Sequence, residues 1–145
     1  MRKVFIFIIV LTFFSMMSIS SKDDYSYLLN DNSYNFYKIK IDGLNTNNIF
    51  DYVDRLDIIS IYPSINPIYK SQLGDFVYHV GSKNMYDEIN RFKDSYLKLI
   101  KKNNYTDYNY LYVHGINIDM IDVYMSSNDL YNFLSNNSAS GRIVR

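Results

Sequence analysis

Asp75-Phe-Val-Tyr-His-Val80, followed after Gly81-Ser-Lys-Asn84 by Met85-Tyr-Asp-Glu-Ile-Asn-Arg-Phe-Lys-Asp-Ser-Tyr-Leu-Lys-Leu99, is the stretch that decides the fold. In its first part apolar residues alternate, placing Phe76, Tyr78 and Val80 on one face, as a half-buried strand requires. In its second part Met85, Ile89, Phe92, Tyr96 and Leu99 recur at intervals of four, three, four and three. That is one face of an amphipathic helix, expected to run to about Lys102. Ser82 is placed to cap its start. Lys98, Lys101 and Lys102 suit the negative pole of its dipole.

Towards the N-terminus the same alternation marks Phe36-Tyr-Lys-Ile-Lys-Ile-Asp42 as a strand, with Tyr37, Ile39 and Ile41 on one face. Gly43 ends it, and Asn45 or Thr46 can cap the next element. Ile49, Phe50, Val53 and Leu56 predict a helix to about Asp57, and Ile58–Tyr62 predicts a short strand stopped by Pro63. Pro63–Gly74, with both prolines of the chain, is expected to be irregular. On the C-terminal side a polar loop is expected at Asn103–Asn109, then a strand over Tyr110–Met125. In that strand the apolar phase slips between Ile116/Ile118 and Ile121/Val123/Met125, which predicts a bulge or tight turn around Asp119–Met120. Ser127 is expected to cap a short helix carrying Leu130, Phe133 and Leu134, and Ile143–Val144 to add a last strand. The order β-α-β-β-α-β predicts an α+β fold: a small mixed or antiparallel sheet with helices on one face, ferredoxin-like as the first expectation.

Domain organisation is read from the ends. Met1-Arg2-Lys3 is a positive n-region, Val4–Met17 is apolar apart from Thr12 and Ser15, and Ser18-Ile19-Ser20 sets small residues where a signal peptidase reads. Residues 1–20 therefore read as a signal peptide. Left uncleaved, residues 4–19 are the alternative, an N-terminal membrane anchor, although the run is short of the roughly 17–25 residues that span a bilayer. Residues 21–34 read as a polar tether and 35–145 as a single domain. The mature chain is expected outside the cytoplasm, secreted or in the cell envelope. It has no Cys, so neither a disulfide nor a thiolate is available to it.

Charge and composition narrow the chemistry. Lys and Arg total 15, as do Asp and Glu, so no basic field points to nucleic acid. Ile, Asn, Tyr and Lys fill 61 of the 145 positions, as an AT-rich coding sequence favours, which weakens tyrosine abundance as a functional signal. His79 and His114 are the only histidines and Glu88 the only glutamate. No close metal-ligand spacing, nucleophile elbow or glycine-rich phosphate loop accompanies them. No catalytic residue, metal or cofactor is expected. The one candidate contact surface is Tyr105, Tyr108, Tyr110 and Tyr112, either presenting rings to a glycan or peptide or filling a sheet face.

Two stretches carry a resemblance. Phe36–Asp42, the segment through Ile49, Phe50, Val53 and Leu56, and Ile58–Tyr62 form the first. The second is Tyr110-Leu-Tyr-Val-His-Gly-Ile-Asn-Ile118 with Ile121–Ser127 and the helix of Leu130, Phe133 and Leu134. Together they resemble the C-terminal domain of bacterial sigma factor regulators, the extracytoplasmic part of certain anti-sigma factors. Only Met1-Arg2-Lys3 precedes the apolar run, so the resemblance implies a stand-alone sensory or interaction domain, without the cytoplasmic sigma-binding part. Its expected partner is another envelope protein. A secreted binder of a cell-wall sugar or peptide, using the Tyr-rich segment, is the alternative.

Overall fold

The computed structural model describes residues 24–136 and 141–144. The signal segment and its cleavage site lie outside the described residues. The strands are β1 (Tyr34–Ile41), β2 (Ile58–Pro63), β3 (Tyr78–His79), β4 (Ile118–Ser126) and β5 (Gly141–Ile143). The helices are α1 (Lys70–Leu73), α2 (Met85–Lys101), α3 (Tyr105–His114) and α4 (Ser127–Asn136). The fold is α+β, with one open sheet in the order β3-β2-β4-β1-β5 and every neighbouring pair antiparallel.

β4 runs between β1 and β2, which therefore point the same way, as in a split β-α-β unit, except that a 3-10 turn, Ile49–Asp51, stands where the helix of the ferredoxin-like expectation would be. The strand that completes the pattern beyond β1 is β5, however. The alternating stretch at 75–80 forms the opposite edge and pairs only through Ser60↔His79 and Ile61↔Tyr78. The segment from α1 through β3 and α2 to α3 lies in the chain between β2 and β4.

One sheet face, carrying Ile39, Ile41, Ile58, Ile61, Ile121 and Val123, is buried together with Ile89, Phe92 and Ile100 of α2 and Leu130 and Leu134 of α4. The phase slip in β4 is present as a register shift opposite Tyr62/Pro63, where Met120 and Ile118 pair with successive residues of β2 and Asp119 is the extra one. It keeps Ile118 and Ile121 both buried. Leu28, in the segment read as a tether, is also in the core, and the N–H groups of Ser127 and Asn128 bond the carbonyls of Ser33 and Asp31.

Four expectations are corrected. Pro63–Gly74, expected to be irregular, carries a 3-10 turn at Pro67–Tyr69, capped by Asn66, and the helix α1. The helix expected to Asp57 is a single 3-10 turn, Ile49–Asp51. Neither expected residue caps it: Asn48 stands at its N-cap and makes no side-chain cap bond, Asn45 accepts from Asn47 N–H at 2.8 Å in the turn before, and Thr46 is drawn the other way. Its N–H bonds Ile116 O and its hydroxyl accepts from Ile116 N–H, both at 3.0 Å, so backbone pairing ties down the start of the segment. The Asn103–Asn109 loop and the first part of the Tyr110–Met125 strand are the helix α3. Asn104 accepts from the N–H groups of Thr106 and Asp107, and this cap together with packing on α2 overrides the strand preference of four tyrosines. The caps of α2 and α4 are Asn84 and Ser126, one or two residues from where the sequence placed them. Their side chains accept from Asp87 N–H and Asp129 N–H.

Gly115 ends α3 at φ +87°, and a Cβ there would stand 3.0 Å from Asn47 Cγ and 3.2 Å from Asn45 Oδ1. Gly115→Ala is expected to cost about 1–3 kcal/mol through backbone strain alone. Urea melts of the two proteins check this, and an unchanged midpoint would mean that the α3–β4 junction relaxes freely.

Candidate functional site

Among the described residues helices cover only one face of the sheet, and the other is left open. Alternation along β1 sends Tyr34, Phe36, Lys38 and Lys40 to this face, and register brings Ser126, Tyr124 and Asp122 of β4 opposite the first three. Tyr124 contacts both aromatic neighbours, its ring centroid 5.5 Å from Tyr34 and 4.8 Å from Phe36. The three rings form a strip in which Phe36 is 72% exposed and Tyr34 60%. Beyond it the face turns polar. Lys38 Nζ sits 3.5 Å above the Tyr62 ring and 3.1 Å from Asp122, whose carboxylate also accepts from the Tyr62 hydroxyl at 2.6 Å. Partial burial opposes the charge on Lys38, but Tyr62 and Asp122 outweigh it and raise its pKa. Lys40 pairs with Asp119 at 2.7 Å, and Ser60 Oγ lies 3.1 Å from His79 Nδ1.

The strip leads into a cleft of about 890 Å³ at one end of the sheet, which Tyr34 and Tyr124 help to line. Its other walls carry both signs of charge: Arg55 and Lys83 against Asp54, Asp57 and Asp129. On the far side of the strip β5 pairs with β1 through Ile39–Ile41, and Val144 N–H bonds Lys38 O. Among the described residues the β1 edge from Tyr34 to Tyr37 therefore has no strand partner on that side.

The four tyrosines singled out from the sequence divide. Tyr105, Tyr108 and Tyr112 share one stripe of α3 and stack with centroids 5.7 and 6.0 Å apart. Lys101 and Lys93 of α2 lie beside this stack, Lys101 Nζ 5.1 Å from the Tyr108 centroid. Tyr110 faces elsewhere, 4.4 Å from the His114 ring. It is at the mouth of a second cleft, of about 500 Å³, between α3 and the Pro63–Tyr69 segment. The histidines serve separate places, His79 on the open sheet face and His114 at the end of α3. Among the described residues no group of three or more His, Asp or Glu is placed to hold a metal ion.

Glu88 has a structural post. It is 1% exposed and accepts from Gly81 N–H at 2.9 Å, Ser82 Oγ at 2.9 Å, Tyr78 OH at 3.0 Å and Arg91 at 3.1 Å. The Gly81 bond, helped by Ser82, Tyr78 and Arg91, holds its pKa below the usual value in spite of burial. The carboxylate thereby fixes the β3–α2 junction.

Sequence reasoning missed the Tyr34–Phe36–Tyr124 strip. The signal was present in β1 alone, where Phe36 alternates with lysines on the side opposite Tyr37, Ile39 and Ile41. That Tyr124 completes the strip depends on register. These features define the chain as an α+β domain with one open, aromatic-lined sheet face. Set against protein families, curated proteins and solved structures, it matches none of them.

Proposed function

We propose that the chain is an exported, non-enzymatic interaction module that meets another envelope protein through its open sheet face. The observation that carries this reading is the exposed strip Tyr34–Tyr124–Phe36, continuous with the mixed-charge cleft and flanked by the Tyr34–Tyr37 edge of β1, which has no strand partner among the described residues. Clustered exposed rings at a polar rim are the composition of an interaction surface, and a free edge offers backbone groups to an added strand. Three carboxylates that could do chemistry are engaged in structural contacts: Glu88 with the β3–α2 junction, Asp122 with Lys38 and Tyr62, Asp119 with Lys40. The resemblance of 36–62 and 110–134 to the extracytoplasmic domain of sigma factor regulators favours envelope signalling as the setting.

A photo-crosslinking side chain at position 36, in cells that export the protein, tests the surface. Crosslinking to one envelope protein, lost when Tyr34 and Tyr124 become serine, is the expected result. The serine variants should melt within a few degrees of the parent, because exposed substitutions change stability by about 0.5 kcal/mol or less. Crosslinks no more specific than those from exposed Ile68 would remove the proposal. Export with cleavage gives a mature N-terminus near Ser21, and export on a retained anchor leaves the chain in the membrane fraction. N-terminal sequencing and fractionation read the two, and a chain starting at Met1 in the soluble cytoplasmic fraction would remove the exported reading. Activity without a metal requires a melting temperature unmoved by chelator or added zinc. A folded-state metal at a hundredfold excess over its Kd would add about 2.7 kcal/mol.

A second reading, a binder of a cell-wall sugar or peptide, draws on the Tyr105–Tyr108–Tyr112 stack, since Tyr105 and Tyr112 are each 61% exposed. Loss of glycan-fragment binding in Tyr105→Ser/Tyr112→Ser would support it.

A further inference from the structure

The 500 Å³ cleft between α3 and the Pro63–Tyr69 segment has a composition unlike the rest of the surface. Its floor is apolar, from Ile65, Leu111 and Ile116, and three tyrosines, Tyr69, Tyr96 and Tyr110, line it. Of the residues lining it only Asp107 is charged. Asp107 has no cationic partner among the described residues. One of its carboxylate oxygens accepts a hydrogen bond from the Tyr69 hydroxyl, which also turns the second oxygen to a defined direction.

Tyr96 supplies the independent observation. It is 2% exposed, its ring packs against Phe76 and Phe92, and its hydroxyl has no hydrogen-bond partner among the described residues. Among the described residues no buried side-chain oxygen is both sealed and unpaired, so this hydroxyl keeps some solvent access, and Tyr96 is one of the residues lining the cleft. Buried hydroxyls are normally satisfied, so an unpaired one on a residue that lines a cleft is a ready partner for a polar group bound there. Burial, with the neighbouring Tyr69, pushes the pKa of this phenol above its ordinary value. It can donate one hydrogen bond and accept others.

We propose that this cleft is a binding site for a primary alkylammonium group. Asp107 provides the counter-charge, the Tyr96 hydroxyl an acceptor for an ammonium N–H, the Tyr69 and Tyr110 rings electron-rich faces, and the apolar floor a seat for the alkyl chain. The site is separate from the open sheet face, so it stands or falls independently of the proposed protein contact.

The test is titration of the purified protein with n-butylammonium, followed by NMR of the tyrosine rings, with 1-butanol as the uncharged comparison. Saturable shifts below about 50 mM are expected, a range that a five-atom fragment can reach. Butanol should bind at least about tenfold more weakly, and Asp107→Asn should lose about tenfold in affinity, the scale of one charge-assisted bond. Tyr96→Phe, which leaves the packing intact, should lose a smaller but measurable factor. Nα-acetyl-lysine N-methylamide separates the two sources of this chemistry. Binding as tight as butylammonium assigns the site to a lysyl side chain, and weaker binding assigns it to a free amine. No saturation by butylammonium, equal shifts with butanol, or unchanged affinity in both variants while their melting curves match the parent would overturn the proposal.

Discussion

Phe92→Ala is expected to destabilise the domain by about 3–5 kcal/mol, the range for emptying a packed aromatic site. Phe92 is fully buried at the middle of α2, where its ring meets Tyr78 at 5.6 Å, Tyr96 at 6.2 Å and Phe76 at 6.4 Å. Two of these neighbours come from the β3 region, which has only two residue pairs holding it to the sheet. Removal of the ring therefore opens a cavity and also frees the β3 edge. Lys98→Ala, exposed on the same helix, should change stability by less than about 0.5 kcal/mol. Chemical denaturation of both variants gives the comparison. Equal effects would mean that α2 is rotated from the orientation described.

Glu88→Ala is expected to lower the melting temperature on the order of 10 °C, as loss of a buried acceptor shared by four donors implies. The Gly81 N–H and the hydroxyls of Ser82 and Tyr78 would be left to find water, and Arg91 would lose its partner. The same geometry sets a pH dependence. The pKa of Glu88 is lower folded than unfolded, so its contribution is complete above the ordinary glutamate value of about 4.3. It is lost as pH falls from there through the depressed folded value, because the unfolded chain takes up the proton first. Melting curves between about pH 6 and pH 3 should fall more steeply for the parent than for Glu88→Gln. Parallel curves would mean that this carboxylate does not couple folding to acid.

Glu88 also shows where sequence reading stops. A single glutamate among asparagines has the look of a surface helix residue, and nothing local shows that Gly81, Ser82, Tyr78 and Arg91 converge on it. The tyrosine run is similar. Tyr108, Tyr110 and Tyr112 alternate as a strand would, and side-chain preference alone supports that reading. The decision lay with the Asn104 cap, the Gly115 stop at positive φ and the α2 surface on which α3 packs.

The strand at 36–42, the long helix with Phe92 on its buried stripe, the bulge near Asp119 and the α+β class were all legible in the sequence. Each depends on periodicity or on a phase slip within one segment, and the hydrophobic effect reads such patterns locally. Strand order, the edge position of 78–79, the reduction of the first helix to one turn and the placing of the two clefts were decided only by tertiary structure. They depend on which backbone partners win between residues far apart in the chain, as Thr46 with Ile116 and Tyr34–Ile39 with Ile121–Ser126 do. The candidate surfaces belong to this second group. Tyr124 joins Tyr34 and Phe36 through register, and Asp107 meets Tyr69 across the cleft onto which Tyr96 opens. No spacing along the chain encodes those meetings, because they are made by the packing of whole elements on one another.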